Sequence, residues 1–234
     1  MSTPQPFTEV TVADVRAETP ELTHLDLLAP SAEFLSAYTT PGQYVQIKIG
    51  ENKPGFFALA SAPGEERLSL LIKRGNPTAD TIVSTPAGGK LQVSVPSGKG
   101  YPFELARGCD VFLIGVGSGI APLRSVVRAM LKDRDSFRNV RLIYGARTST
   151  SFPYAGEMQD WANRGIEVCR VCSQPHANTW NERVGRVQQA LLEDFSGVSA
   201  TSVAFVCGMK AMVEDVKNAF GNIGMPPERV YQNF

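Results

Sequence analysis

Cysteine is scarce in this chain, histidine scarcer, and net charge is absent. Only 4 cysteines and 2 histidines occur among 234 residues. Cys169 and Cys172 form a C-x-x-C, but three positions apart on a strand they point to opposite faces. No second pair or nearby histidine completes a zinc site, and no cysteine series suits a plant-type iron–sulfur cluster. The cysteines read as reduced structural thiols, which fits a reducing compartment, and no metal site is expected. The 23 basic and 23 acidic residues cancel, so the chain carries no electrostatic footprint for nucleic acid or an anionic membrane. No run of about 18 apolar residues exists, so no transmembrane helix is expected. Met1 to Phe7 lack the charged-then-apolar pattern of a secretory signal. The expectation is a cytoplasmic protein, or an organelle-stroma protein whose transit peptide has been removed.

What is present divides into two halves, at residues 1–105 and 106–234. The first reads as short strands and turns: Thr8 to Val12, Thr23 to Leu27, Tyr44 to Ile49, Leu68 to Ile72 and Leu91 to Val95. Pro41-Gly42, Pro63-Gly64, Gly88-Gly89 and Pro96-Ser97-Gly98 punctuate them. This spacing predicts a small antiparallel β-barrel, with one helix from Thr78 to Thr85 across a mouth. The second half alternates strands at 111–115, 140–145, 166–172 and 202–207 with helices at 122–133, 155–163, 184–194 and 210–222. That order predicts an α/β domain with a mostly parallel sheet covered on both faces.

The chemistry-bearing stretch runs from Val111 to Met130. An apolar strand, Val111 to Ile114, enters Gly115-Val116-Gly117-Ser118-Gly119, and Pro122 suits a first helical position. Strand, glycine turn and helix N-terminus form an anion site, because backbone N–H groups approach a phosphate and the helix dipole favours its charge. The turn is not the dinucleotide fingerprint, since the next strand ends in Tyr144-Gly145-Ala146-Arg147-Thr148 with no acid for a ribose hydroxyl. Arg147 reads equally as a contact to adenosine ribose or 2′-phosphate and as a solvated loop residue. Cys207, before Gly208, ends the last strand at the carboxyl edge, where ligands bind in open α/β sheets; a buried small residue beside a glycine turn is the plainer reading.

Taken in order, these pieces resemble the ferredoxin–NADP reductase superfamily. Further matches are Gly185-Arg186-Val187, Cys207-Gly208-Met209 with Met212, Tyr231-Gln232-Asn233-Phe234, Pro41-Gly42-Gln43-Tyr44 and Pro96-Ser97-Gly98-Lys99-Gly100. The resemblance spans nearly the whole chain. It implies a flavin-binding barrel followed by an NAD(P)-binding domain, and a flavoprotein that passes hydride from NADP(H) or NAD(H) to FAD. The electrons would continue to a protein or small-molecule acceptor. It places Gly117, Ser118, Gly119 and Pro122 at the nicotinamide diphosphate and Arg147 near the adenosine ribose. Cys207, Gly208 and Met209 would lie beside the nicotinamide. Phe234 would be the C-terminal aromatic that shields the flavin ring, against the alternative of a frayed chain end.

The flavin signature is degenerate. The family pattern Arg-x-Tyr-Ser, followed by an apolar residue, Ala and Ser, is here Gly55-Phe56-Phe57-Ala58-Leu59-Ala60-Ser61. Gly55 replaces the arginine that neutralises the FAD diphosphate, Phe57 the tyrosine and Ala58 the serine; Phe57, Ala58, Leu59 and Ser61 keep the flavin positions. Losing one partner of such a charge pair costs about 2–5 kcal/mol. Lys53, Lys73 or Arg74 are the candidate replacement cations. Gly75-Asn76-Pro77-Thr78-Ala79 reads either as a diphosphate cradle using Gly75 and Thr78 or as a turn and helix cap. The competing function is a nucleotide-binding or assembly protein that kept the fold and lost FAD-dependent turnover.

Overall fold

A computed structural model describes residues 6–176, 179–194 and 198–233. Six antiparallel strands build the first half: β1 (Phe7–Ala17), β2 (Leu22–Leu28), β3 (Tyr44–Lys48), β4 (Gly55–Ala58), β5 (Arg67–Lys73) and β6 (Lys90–Ser94). Their order is β4-β3-β6-β1-β2-β5. A Leu59–Leu70 bridge, with Ala60 N–H donating to the Ser69 carbonyl at 2.7 Å, joins the two outer strands. The sheet therefore closes on itself, which removes open edges. Alternation explains the register: Val10, Val12, Leu25, Leu27, Val45, Ile47, Leu68, Leu70, Ile72 and Val93 all turn inward and are fully or nearly fully buried. Each such side chain contributes roughly 1.5–3 kcal/mol.

Two helices accompany the barrel. The first, α1 (Ala32–Ser36), starts where Ser31 accepts the Phe34 N–H. The second, α2 (Pro77–Ser84), starts where Asn76 accepts the Ala79 N–H, with Pro77 in its first turn. Ala79, Ile82 and Val83 of α2 pack against the barrel core. The proline preorganises φ at a position with no N–H to spare.

The second half is a six-stranded parallel sheet. Its strands are β7 (Val111–Val116), β8 (Val140–Ala146), β9 (Ile166–Cys172), β10 (Arg183–Val184), β11 (Val203–Cys207) and β12 (Val230–Tyr231). The order is β10-β9-β8-β7-β11-β12, all paired parallel. Its helices are α3 (Ile120–Met130), α4 (Ala155–Asn163), α5 (Val187–Asp194) and α6 (Lys210–Asn222). One apolar cluster packs α3 and α4 on one face; another packs α5 and α6 on the other. Burial on both faces is why the β7 and β11 sequences are continuous apolar runs.

The boundaries differ from expectation mainly at short elements. The α3 helix begins at Ile120 rather than Pro122, because a 3₁₀ turn over Gly117–Gly119 runs straight into it. Pro122 still lies in the first turn, where a missing N–H leaves no intrahelical bond unmade. The α5 helix starts at Val187 rather than 184, since Arg183–Val184 adds a strand to the sheet edge. The β4, β10 and β12 strands and α1 have only two to five residues each. That is too short for periodicity to declare them.

Side chains cross between the two halves at many points. The Arg124 guanidinium is only 5% exposed. It donates to both Glu157 oxygens at 2.9 and 2.8 Å and to the Ala60 carbonyl at 2.8 Å. Tyr101 stacks on Phe205 at 4.7 Å and donates to the Val206 carbonyl at 3.3 Å. His24, fully buried, lies 2.8 Å from the Tyr154 hydroxyl through Nδ1 and 2.9 Å from Asp26 through Nε2. Burial alone would raise the Asp26 carboxyl, but hydrogen bonds from His24 and Ser69, with Arg16 close by, bring it down to about 2.

Candidate functional site

The glycine turn is where the backbone comes closest to its neighbours. A Cβ on Gly119 would collide with the Cys207 carbonyl oxygen, and one on Gly115 would lie 2.7 Å from Leu123 Cδ1. Gly117 takes φ +56°, the left-handed region that favours glycine. Its carbonyl accepts from the Tyr144 hydroxyl at 2.8 Å, which pins the turn to β8. Ser118 is exposed above it. The start of α3 therefore faces outward at the carboxyl end of the sheet, between the ends of β7 and β11. Main-chain donors and the positive helix end suit a diphosphate there.

The turn opens into a cleft of about 1490 Å³ walled by both halves. One small ligand occupies roughly 300–1,000 Å³, so this space exceeds the need of a single one. Of the residues anticipated from sequence, Phe57, Ala58, Lys73, Gly117, Ser118, Gly119, Pro122, Arg147, Cys207, Gly208 and Met209 all line it. Four others lie outside its lining. Leu59 is buried in the barrel core, and Ser61 is buried with its hydroxyl accepting the Ser69 N–H at 3.0 Å. Gly75 and Thr78 flank the lining residue Asn76 without lining the cleft themselves. Phe234 lies outside the described residues.

Charge is unevenly spread over the cleft walls. On the α/β side, Arg147 donates through Nε to the neutral Gln174 at 2.8 Å. Arg186 lies on the same wall and is exposed. Neither has a carboxylate partner among the described residues, whereas Arg124, Arg128, Arg141 and Arg170 each pair with a glutamate. His176, Thr148, Thr150 and Ser151 complete that wall. On the barrel side the one lysine, Lys73, sits 3.2 Å from Glu21, which lines the cleft too. Burial pushes the Cys207 thiol up to about 12, so at neutral pH it is a small uncharged group. Met209, 72% exposed, and Phe56, 59% exposed, stand at the rim.

Sequence reasoning named Asn76 only as part of the Gly75 to Ala79 loop and missed Glu21, Gln174, His176, Gln188 and Asp215 as cleft residues. Asn76 had a local signal, since an Asn-Pro pair ahead of an apolar stripe marks a helix start. The others come from loops or helix faces that only the tertiary fold brings together. Among the described residues, no group of three or more His, Cys, Asp or Glu side chains could hold a metal ion.

The site fits a nicotinamide dinucleotide: a glycine cradle that a Cβ would fill, a helix N-terminus, and two uncompensated arginines further along one wall. It fits a flavin ring less completely. Phe57 offers an aromatic face, but Ala58 has no hydroxyl to bond it.

Comparison with known proteins agrees with this geometry. Residues 113–218 match the family described as the oxidoreductase NAD-binding domain. The Pyrococcus furiosus sulfhydrogenase 1 subunit gamma is 29% identical over 195 residues, which is 82% of this chain and 66% of that protein. The chain spans about two thirds of the length of the curated relatives first in similarity. Among solved structures, an Amycolatopsis cytochrome P450 reductase superposes with a TM-score of 0.84 at 24% identity, over 99% of this chain and 71% of that one. A Neisseria gonorrhoeae ferredoxin NADP+ reductase with bound FAD and NADP gives 0.82 at 18% identity, over 97% and 98%.

Proposed function

We propose that this chain, which belongs to the ferredoxin–NADP reductase superfamily, moves a hydride from NAD(P)H to a flavin in the same cleft. The electrons then pass to a separate acceptor. One observation carries the reading: a single cleft is lined by Gly117 to Gly119, by Cys207 and Gly208, and by Phe57 and Ala58 from the barrel. A bound flavin supplies the two-electron chemistry, and the protein supplies position and electrostatics. The turn and the start of α3 hold the diphosphate of the nicotinamide nucleotide. Cys207 and Gly208 give the nicotinamide a compact, uncharged bed, and the thiol neither takes nor gives a proton near pH 7. Phe57 supports the flavin ring by stacking.

Arg147 and Arg186 support NADP(H) over NAD(H). Two guanidinium groups without carboxylates on one wall are matched by the extra 2′-phosphate, which guanidinium binds in a fork. The acceptor is a protein or small molecule; the sulfhydrogenase likeness supports an acceptor on another chain.

The test is a visible spectrum of the purified protein with added FAD, followed by anaerobic NADPH or NADH. A bound flavin band that bleaches, with NADPH half-saturating at lower concentration than NADH, is expected. Gly55 and Ala58 favour a second reading, a nucleotide-binding protein without turnover. Failure of both nucleotides to bleach a bound flavin would establish that reading instead.

A further inference from the structure

The barrel side of the cleft has no free charge with which to grip a second diphosphate. Gly55, at the arginine position of the flavin pattern, is roofed by an aromatic ring: a Cβ there would lie 2.8 Å from Phe57 Cε2 and 3.7 Å from Thr78 Cγ2. An apolar ring fills the place of the guanidinium. Of the candidate replacement cations, only Lys73 lines the cleft. Lys73 pairs with Glu21 at 3.2 Å, which leaves that wall neutral. Arg74, which donates through Nε to the neutral Thr23 hydroxyl at 3.1 Å, has no carboxylate partner among the described residues, but neither it nor Lys53 lines the cleft.

The helix start beside them is partly closed, with the Thr78 N–H and hydroxyl left over among the described residues. At α2 the Asn76 side chain takes the Ala79 N–H at 2.9 Å, and the Asn76 carbonyl takes the Asp80 N–H at 2.9 Å. The Gly75 N–H goes to the Asp80 carboxylate at 3.0 Å, and Pro77 has no N–H to give. An acid in the first turn, stabilised by the helix dipole, opposes an anionic ligand there. The α/β wall is the opposite case, with Arg147 and Arg186 uncompensated. The cleft is built to hold one dinucleotide by its phosphates and a second ligand by its ring alone.

Resting on the function proposed above, we infer that flavin is an exchanging substrate of this site, recognised through its isoalloxazine ring, and not a resident FAD. The nicotinamide gives up a hydride, two electrons with one proton. The flavin takes that hydride and one further proton from solvent, and leaves in its reduced form as NAD(P)+ is released. Reduced flavin would then carry the electrons to an acceptor that need not dock on this protein.

The full chain, freed of flavin, would be titrated with FAD, FMN and riboflavin by fluorescence, and each mixture passed over a gel-filtration column. Dissociation constants for FAD and riboflavin within about tenfold, and loss of each flavin on the column, are expected. A cation-held diphosphate would instead favour FAD by roughly thirty- to several-thousand-fold. FAD tighter by a hundredfold or more, or retained at one per chain, overturns the inference. The surface change Glu21→Gln frees Lys73 and is expected to tighten FAD severalfold without moving riboflavin. An equal effect on both flavins, or none, places the diphosphate elsewhere and also overturns it. Anaerobic NADPH separates the two levels of the reading. Tight FAD that bleaches sinks only the exchange, whereas absence of flavin binding, or binding without bleaching, sinks the proposed function itself.

Discussion

On the function proposed above, Arg147 would set the nucleotide preference through its lack of a carboxylate partner. Its hydrogen bond to Gln174 orients the guanidinium without neutralising it. A hydrogen bond between charged groups is worth about 1.5–3 kcal/mol. Arg147→Ala is therefore expected to weaken NADPH tenfold or more while NADH changes little, measured as the ratio of the two Kd values. Cys207 works by being inert. Desolvation pushes its thiol up to about 12, which keeps it protonated at neutral pH. Iodoacetamide at pH 8 should label Cys207 far more slowly than an unperturbed thiol although the residue lines the cleft, checked by peptide mass spectrometry; rapid labelling would contradict the raised thiol. Asp26 tests the joint. Its carboxyl is held at about 2 against an ordinary 3.8, so its stabilisation is complete above pH 4 and disappears as pH falls through 2. Asp26→Asn should flatten the acid limb of stability between pH 4 and 2, followed by urea titration of tryptophan fluorescence at fixed pH.

Among the elements, the turn from β7 into α3 allows the least change. Gly119 packs so closely on the Cys207 carbonyl that even a methyl group must displace backbone. Overpacking of this kind costs about 1–3 kcal/mol, and each kcal/mol lowers Tm by about 2–4 °C in a chain of this size. Gly119→Ala should therefore melt several degrees lower and lose nucleotide affinity, while Gly156→Ala, which meets open space, should do neither. The long strands and helices of the second half were readable from sequence, because burial on both sheet faces writes continuous apolar runs such as Val111 to Ile114. The β4 strand was not: Gly-Phe-Phe-Ala has neither alternation nor length, and only pairing with β3 makes it a strand. The candidate site divides in the same way. Gly117 to Gly119 and Arg147 announced themselves by local pattern, whereas Glu21 and Asp215 reach the cleft only through topology. Leu59 and Ser61 occupied family positions in the sequence, yet barrel closure turns both into packing residues.

At the scale of the whole molecule, the two sheets are held together by polar ties set in an apolar seam. Arg124, held by Glu157 of its own half, reaches across to the Ala60 carbonyl, and breaking a buried pair by removing one partner costs about 3–5 kcal/mol. Glu157→Ala leaves Arg124 with only the Ala60 carbonyl. Calorimetry should then show a Tm several degrees lower; an unchanged Tm would mean that the Glu157 carboxylate does not hold Arg124 in place. Four of the ties share one trait. Arg124 ends on the Ala60 carbonyl, Lys132 on that of Pro63, Tyr101 on that of Val206 and Asn233 on that of Gly42. Each asks a side chain of one half and only a main-chain oxygen of the other. Main-chain oxygens survive every substitution, so the accepting residues are free to drift over generations without loosening the joint. At three of these points, Tyr101 excepted, the joint asks of the barrel only the path of its chain, whereas Tyr154, Ser125 and Arg128 still ask for His24, Tyr38 and Glu65 themselves.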